Sequence, residues 1–233
     1  MERGGPMTSK NAPAFLFDLD GTLVDSVYQH VLAWREALES LGIELAVWRI
    51  HRRIGMSGGL LVNALLRETG RQVSNEQAES LQRSHAEAYA RLAGQVRPLP
   101  GAKELLALLT KEGVPWAIAT SGKSEFTKKS LQSLGVGPEV PIITRDQVER
   151  AKPDPDLFLA AAERLNVDIR QSVVVGDSVW DLLAAQRART LGIGLLSGGY
   201  GQDELERAGA YRVYQDPYDL LQHVDEVGVR ISG

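Results

Sequence analysis

Two aspartates stand two residues apart at the end of an apolar run near the start of the chain. The run reads FLFDLDGTLVDS, and Asp18 and Asp20 lie within it between Phe15 and Gly21. On a strand, residues two apart point to the same side, and charged groups that are buried there are costly unless they are paired. Because the available ligands are hard carboxylate oxygens, the pair indicates a divalent cation, with Mg²⁺ favoured over zinc.

Carboxylates in such a place can also do covalent chemistry. One aspartate can attack a phosphate and form an aspartyl-phosphate intermediate. The second can protonate the leaving oxygen and then deprotonate the water that cleaves the acyl-phosphate. Attack on a phosphate dianion brings like charges together, so the chemistry requires a metal ion and a lysine to offset the repulsion.

Further reactive side chains occur where other apolar runs end. Thr120 and Ser121 can hold phosphate oxygens, and Gly122 lets the backbone approach them closely. Asp177 ends a later run, and Asp181 follows four residues on, so it can face the same site from the first turn of a helix. Parallel strands bring their carboxyl ends to one edge of a sheet, where ligands bind.

The elements that would position these groups alternate between strand and helix. Alternating strands and helices indicate an open α/β domain with a parallel sheet. The predicted strands are Ala14–Asp20, Val114–Thr120, Val140–Thr144, Ser172–Asp177, Leu191–Leu196 and, more weakly, Tyr211–Tyr214. The predicted helices between them are Ala102–Lys111, Glu125–Leu134, Pro155–Leu165 and Val179–Arg189.

Residues 25–97 break the alternation because they have only helical patterns, at Ser26–Leu41, Gly58–Thr69 and Ser74–Leu92. We therefore predict a Rossmann-like parallel-sheet core formed by residues 13–24 and 98–233. A helical domain, residues 25–97, would be inserted after the first strand, and residues 1–12 would form a flexible tail.

Four ordered motifs resemble those of the haloacid dehalogenase-like hydrolase superfamily. They are DLDGT (Asp18–Thr22), TSG (Thr120–Gly122), KPDPD (Lys152–Asp156) and GDSVWD (Gly176–Asp181). The resemblance covers roughly residues 13–220, and its first and last motifs are the specific ones. The helical insertion is similar to the family's small α-helical cap, which suggests the branch that contains phosphoglycolate phosphatase and β-phosphoglucomutase.

The resemblance implies a role for each matching carboxylate. Asp18 would be the nucleophile and a metal ligand. Asp20 would be the general acid and base, and would give its backbone carbonyl to Mg²⁺. Asp177 would be the remaining protein ligand, and Asp181 would orient the metal shell.

The resemblance also implies roles for the residues around the phosphate. Thr120 and Lys152 would contact the phosphoryl group, with Ser121 and Gly122 beside it as substrate-binding residues. Dehalogenases of this superfamily lack an acid at the position of Asp20, so its presence favours phosphate chemistry.

The insertion is expected to select the substrate. Arg52 and Arg53 lie in the glycine-broken segment HRRIGMSGG, and they either read the far end of an anionic substrate or are surface charges. His30 and Trp34 lie on the first predicted helix of the insertion, where we expect them to pack between the insertion and the core.

The composition excludes several classes of function. A net charge of −4 argues against a nucleic-acid-binding protein, which normally has a basic face. The chain has no cysteine, which excludes disulfides and thiolate sites and fits a reducing cytoplasm. No apolar run approaches the ~20 residues needed to cross a bilayer. The expected partner is a small phosphorylated metabolite, and the expected state is a monomer or weak homodimer.

The sequence thus predicts a Mg²⁺-dependent phosphatase that hydrolyses a small phosphomonoester, of the sugar phosphate or phosphoglycolate type, through an aspartyl-phosphate. The alternative is a β-phosphoglucomutase-type mutase, which would use the same Asp18 chemistry. A 2-haloacid dehalogenase and a phospho-signalling receiver or binding module are more remote. Asp20 opposes the first of these, and the length and insertion oppose the second.

Overall fold

A six-stranded parallel sheet forms the centre of the computed structural model, which describes residues 13–70 and 74–229. The predicted tail, residues 1–12, lies outside the described residues. The strand order is β5-β4-β1-β6-β7-β8, and every neighbouring pair is parallel. The strands are β1 (Ala14–Phe17), β4 (Trp116–Ala119), β5 (Ile142–Ile143), β6 (Ser172–Gly176), β7 (Leu191–Leu195) and β8 (Ala210–Tyr214).

The central strands are almost wholly apolar because helices cover both faces of the sheet. In β1, Phe15 and Phe17 belong to one buried cluster, and Leu16 belongs to another on the opposite face. Strands buried on both faces lose the alternation of polar and apolar residues. The helices of this core are α5 (Ala102–Lys111), α6 (Ser124–Leu134), α7 (Asp156–Leu165), α8 (Val179–Ala188), α9 (Gln202–Arg207) and α10 (Pro217–Gln222).

The first strand is shorter than its apolar sequence predicts. β1 ends at Phe17, although the Asp18 backbone N–H still donates to Val175 O at 2.8 Å. The chain then turns sharply at Gly21, whose φ of +82° is a conformation that favours glycine. The predicted strand thus ends three residues early, and the two aspartates lie on the turn that follows it.

Within the described residues, four helices lie between β2 (Val24–Asp25) and β3 (Arg97–Pro98), which pair with each other as a short antiparallel ribbon. We use the name helical insertion for the described residues between these two strands, including all four helices. They are α1 (Val27–Glu39), α2 (Val47–His51), α3 (Gly58–Thr69) and α4 (Asn75–Leu92).

The helical insertion has an apolar cluster of its own, which includes Val31, Ile50 and Leu65. The α4 helix begins with a capping box, in which the Ser74 hydroxyl accepts from Gln77 N and the Gln77 side chain accepts from Ser74 N. A separate buried cluster shows that the insertion packs as a unit beside the sheet. Within the described residues, none of the helices combines the length and the apolar character that crossing a membrane requires.

Candidate active site

The carboxyl ends of the central strands meet at one edge of the sheet, as predicted for parallel strands. Asp18 follows β1, Thr120 follows β4 and Asp177 follows β6, and these strands are neighbours in the order β4-β1-β6. Each of the three side chains is buried. The fold therefore brings a carboxylate, a hydroxyl and a second carboxylate from distant parts of the chain to the same place.

Lys152 is fully buried between two of the acids. Its ammonium forms a short ion pair and hydrogen bond with Asp18, and lies 2.8 Å from Asp181 Oδ1. Burial opposes a positive charge here, but the two carboxylates outweigh it and raise the pKa of the Lys152 ammonium above its ordinary value. The site thus holds a permanent cation in contact with Asp18.

Three carboxylates are clustered tightly enough to hold a metal ion. Asp18, Asp177 and Asp181 each offer one oxygen, and these oxygens lie within 4.8 Å of one another. Burial raises the pKa of Asp18 to about 7 although Lys152 opposes the shift. Burial and the neighbouring carboxylates raise the pKa of Asp177 well above its usual value. A divalent cation would relieve this repulsion, so the donor set fits a hard metal such as Mg²⁺.

The Asp177 carboxylate is held from several sides. The Thr22 hydroxyl donates to Asp177 Oδ1 at 2.8 Å. Gly21 and Gly198 lie directly against the carboxylate, and a side chain at either position would collide with it. The two glycines therefore allow the backbone to enclose this acid, which limits where its oxygens can point.

Asp20 lies outside the three-carboxylate cluster and faces the helical insertion. Its carboxylate accepts from the Ser26 hydroxyl at 2.6 Å and lies 3.3 Å from His30 Nε2. His30 Nδ1 is in turn 3.2 Å from His85 Nε2 on α4. Although burial acts to raise it, His30 and Ser26 lower the pKa of the Asp20 carboxyl below its ordinary value.

The hydroxyl and glycine segment after β4 lines the same cleft. Thr120 Oγ1 accepts from the Gly122 backbone N–H at 3.0 Å. The Ser121 hydroxyl donates to Gly55 O of the helical insertion at 2.9 Å. Thr120 and Gly122 thus lie together near the Asp20 carboxylate, whereas Ser121 joins the core to the insertion.

Arg52 and Arg53 do not reach the cleft, contrary to the first of the two interpretations of these residues. Arg52 pairs with Glu204 of α9 on the core, and its guanidinium stacks on the Tyr200 ring at 4.3 Å. Arg53 pairs with Glu68 of α3, within the insertion itself. Both guanidinium groups are therefore neutralised by carboxylates away from the cavity, and neither side chain lines it.

The segment that carries Arg52 instead attaches the insertion to the core. The Arg52 backbone carbonyl accepts hydrogen bonds from Tyr200 Oη at 3.0 Å and from Trp180 Nε1 at 3.3 Å. Buried His51 Nε2 donates to Gly198 O at 2.8 Å. We call these interactions, with the Arg52–Glu204 ion pair, the docking contact.

A cleft of about 680 Å³ lies between the core and the insertion, with Asp18 and Asp20 in its lining. The insertion side of the cleft carries a cluster of four stacked aromatic side chains, and the sequence alone did not indicate that they form one cluster. His30 stacks on Tyr89 at 3.9 Å, and Trp34 stacks on His85 at 4.1 Å. We call these four residues the aromatic wall.

His30 contacts the core through Asp20, whereas Trp34 packs within the insertion, and both side chains also line the cleft. His85 and Tyr89 were missed because nothing in the local sequence of α4 marks them. Their four-residue spacing shows only that they share a helix face.

Comparisons with known proteins agree with the geometry. A family model described as haloacid dehalogenase-like hydrolase matches residues 12–189. Hexitol phosphatase A of Escherichia coli is 35% identical over 75% of this chain and 78% of its own length. Phosphoglycolate phosphatase of Neisseria meningitidis is 34% identical over 82% of this chain and 83% of its own length. The crystal structure of a hydrolase from Pseudomonas syringae is 56% identical, with a TM-score of 0.91 over 93% of this chain and 100% of that one.

Proposed function

The chain belongs to the haloacid dehalogenase-like hydrolase family, and we propose that it is a Mg²⁺-dependent phosphatase that hydrolyses a small phosphorylated metabolite through an aspartyl-phosphate. The observation that carries this proposal is the contact between Asp18 and the Lys152 ammonium inside a cluster of three carboxylates. The similarity to hexitol phosphatase A and to phosphoglycolate phosphatase supports phosphomonoesters of the sugar phosphate or phosphoglycolate type as substrates.

Asp18 is the nucleophile in this proposal. Its carboxylate oxygen attacks phosphorus, a P–O bond to the enzyme forms, and the bond from phosphorus to the leaving oxygen breaks. The Lys152 ammonium lies against Asp18 and offsets the charge of the incoming phosphate. Thr120 and the segment through Gly122 contact the phosphate oxygens from the other side.

Asp20 moves the protons. The negative charge of the bound phosphate would raise the pKa of Asp20 and let it hold a proton. It donates this proton to the leaving alkoxide in the first step, then removes one from the water that attacks the aspartyl-phosphate in the second. Its hydrogen bond from Ser26 and its contact with His30 orient the carboxyl between the two steps.

Asp18, Asp177 and Asp181, with the backbone carbonyl of Asp20, would hold the metal ion. When bound, Mg²⁺ supplies a positive charge that binds a phosphate oxygen and lowers the repulsion between the dianion and the nucleophile. The helical insertion would act as a cap that closes over bound substrate and excludes bulk water.

A phosphate-release screen over about a hundred phosphorylated metabolites tests the proposal, with Mg²⁺ or EDTA and with wild type or Asp18→Asn. We expect release by the wild type with Mg²⁺ only. Full activity in Asp18→Asn would exclude the covalent mechanism. Conversion of glucose 1-phosphate into glucose 6-phosphate with little free phosphate would identify a mutase instead.

A further inference from the structure

The cleft also constrains the part of the substrate that carries the phosphate. We propose that the leaving group is uncharged and polyhydroxylated, with about six carbons, as in a hexose or a hexitol. Substrates whose leaving group bears a carboxylate would be rejected. This inference rests on the proposed function and separates the two substrate types that the proposal leaves open.

The volume of the cleft favours a leaving group larger than glycolate. At about 680 Å³ the cleft falls within the range of roughly 300–1,000 Å³ that is usual for small-molecule sites. A phosphate at Asp18 occupies one end only. A two-carbon leaving group would leave most of the remaining space to water.

The charged side chains that line the cleft carry no net positive charge that could attract a second anionic group. Apart from Asp18 and Asp20, its lining contains three acids and three basic side chains: Glu79, Glu125 and Asp146, and Arg83, Lys123 and Arg145. The Arg83 guanidinium is 3.9 Å from Glu79, and Arg145 Nη1 donates to Val148 O at 2.7 Å.

The two arginines of the insertion that were candidates to bind an anionic group form ion pairs outside the cleft instead. Arg52 pairs with Glu204, and Arg53 pairs with Glu68. Burial lowers the pKa of the His85 imidazole well below 6.5, so this ring is neutral. A carboxylate in the leaving group would therefore meet no excess of positive charge in the cleft, and Asp18 and Asp20 would repel it, so its desolvation would be costly.

The uncharged lining suits hydroxyl groups on a carbon skeleton. Trp34, His85 and Tyr89 present aromatic surface, against which the C–H faces of a sugar or polyol can pack. Neutral hydrogen-bonding side chains line the cleft as well: Ser57, Gln82, Thr127 and Ser130. A site of mostly apolar walls with a few placed polar groups is the usual form of a small-molecule site.

Matched substrates test the charge and the size of the leaving group separately. Glucose 6-phosphate and 6-phosphogluconate have six carbons each, but the second has a carboxylate at C1 and is an open chain. Open-chain glucitol 6-phosphate, which has no carboxylate, controls for the loss of the ring. Glycerol 3-phosphate is uncharged in its leaving group but has three carbons. We expect kcat/KM for glucose 6-phosphate to exceed that for 6-phosphogluconate by about 30-fold or more, and that for glycerol 3-phosphate by about tenfold or more.

The same assay distinguishes the failure of this inference from the failure of the proposed function. Hydrolysis of 2-phosphoglycolate or 6-phosphogluconate at least as fast as glucose 6-phosphate would overturn the inference and leave the phosphatase intact. No Mg²⁺-dependent hydrolysis of any of these esters, or of p-nitrophenyl phosphate, would overturn both.

Two variants locate the preference in the cleft. Trp34→Leu should lower kcat/KM for glucose 6-phosphate about tenfold, and by a larger factor than for glycerol 3-phosphate. Trp48→Leu is the matched control, because Trp48 is 63% exposed and lies outside the cleft. An equal loss on both substrates in Trp34→Leu would contradict the proposal.

Met56→Arg is the second test and does not depend on how Trp34→Leu folds. Met56 lines the cleft and is only partly buried, so a longer cationic side chain can be accommodated there. We expect the ratio of kcat/KM for 6-phosphogluconate to that for glucose 6-phosphate to rise about tenfold. An unchanged ratio in a folded, active variant would argue against the charge-based rejection.

Discussion

The core side and the insertion side of the cleft hold their functional groups in different ways. On the core side, Asp18 and Asp177 follow buried parallel strands, and Lys152 is buried between carboxylates. On the insertion side, the aromatic wall is assembled from two helices, α1 and α4, and its rings support one another by stacking. In the proposed reaction the core would act through charge, whereas the insertion would shape the leaving-group site through packing. Substitutions in the core should therefore change turnover and stability, whereas substitutions in the insertion should change the binding of the substrate.

Asp18→Asn gives the largest expected effect on activity and the clearest test of this contrast. Removing the proposed nucleophile should lower kcat by at least about 10⁴-fold. The melting temperature of Asp18→Asn in EDTA should not fall, because one of three mutually repelling carboxylates is removed while Asp181 still pairs with Lys152. Phosphate release and thermal unfolding measure the two effects. Asp203→Asn, at an exposed carboxylate, is the control and should match the wild type. Comparable activity in both variants would show that the core does not supply the chemistry as described.

Lys152→Met tests whether the buried cation stabilises the core. Without the ammonium, Asp18 and Asp181 lose the charge that compensates them, so the free energy of unfolding should fall by about 3–5 kcal/mol. Urea denaturation in EDTA at pH 8 measures this loss. Exposed Lys103→Met is the control. A variant as stable as the wild type would mean that this ion pair contributes little to the fold.

Asp177→Asn should stabilise the metal-free protein while removing its response to metal. Burial raises the pKa of Asp177 above 3.8, so the folded state binds its proton more strongly than the unfolded state. The free energy of unfolding therefore falls as the pH rises above 3.8 and Asp177 loses its proton. An asparagine has no such proton to lose, so the variant should not show this fall. We expect a rise of a few degrees in EDTA, on a scale of about 2–4 °C per kcal/mol, and a larger rise at pH 8 than at pH 5.

Calorimetry with and without Mg²⁺ completes the test of Asp177. The wild type should gain about 2.7 kcal/mol when Mg²⁺ is present at a hundred times its dissociation constant. Asp177→Asn should gain much less. An equal gain in the two proteins would exclude Asp177 as a ligand.

Arg52→Ala gives the smallest expected effect and tests the docking contact. Its ion pair with Glu204 is about one-third exposed, so it is worth about 1 kcal/mol or less. Loss of the pair should favour an open insertion and raise KM by up to about fivefold without reordering the substrates. Arg53→Ala is the matched control, because its partner Glu68 is within the insertion. A reordering of substrates by either variant would restore these arginines as specificity residues.

The core side could be predicted from the sequence because local patterns determine it. A short apolar run followed by Asp18 or Asp177 indicates a buried strand with an acid at its end, and parallel pairing then brings the ends together. The end of β1 was placed three residues too late, since an apolar run does not show where the turn at Gly21 begins. The boundaries of the two predicted domains remain predictions.

The insertion side could not be predicted in the same way. His85 reaches His30 only because α1 and α4 pack together, and that pairing depends on contacts 55 residues apart in sequence. Arg52 and Arg53 are adjacent, yet one side chain faces the core and the other faces α3. The direction of each side chain depends on where the carboxylates Glu204 and Glu68 lie in space, which no local pattern shows.

The β2–β3 ribbon has a consequence for how such proteins can diversify. Val24 pairs with Pro98, and Asp25 with Arg97, so the chain leaves and re-enters the sheet domain at adjacent points. Any segment whose two ends meet at that separation can be grafted there without altering the strand order. Recombination could therefore exchange the region that recognises the leaving group while an ancestral hydrolytic apparatus is inherited intact, and chimeras joined at this ribbon should fold.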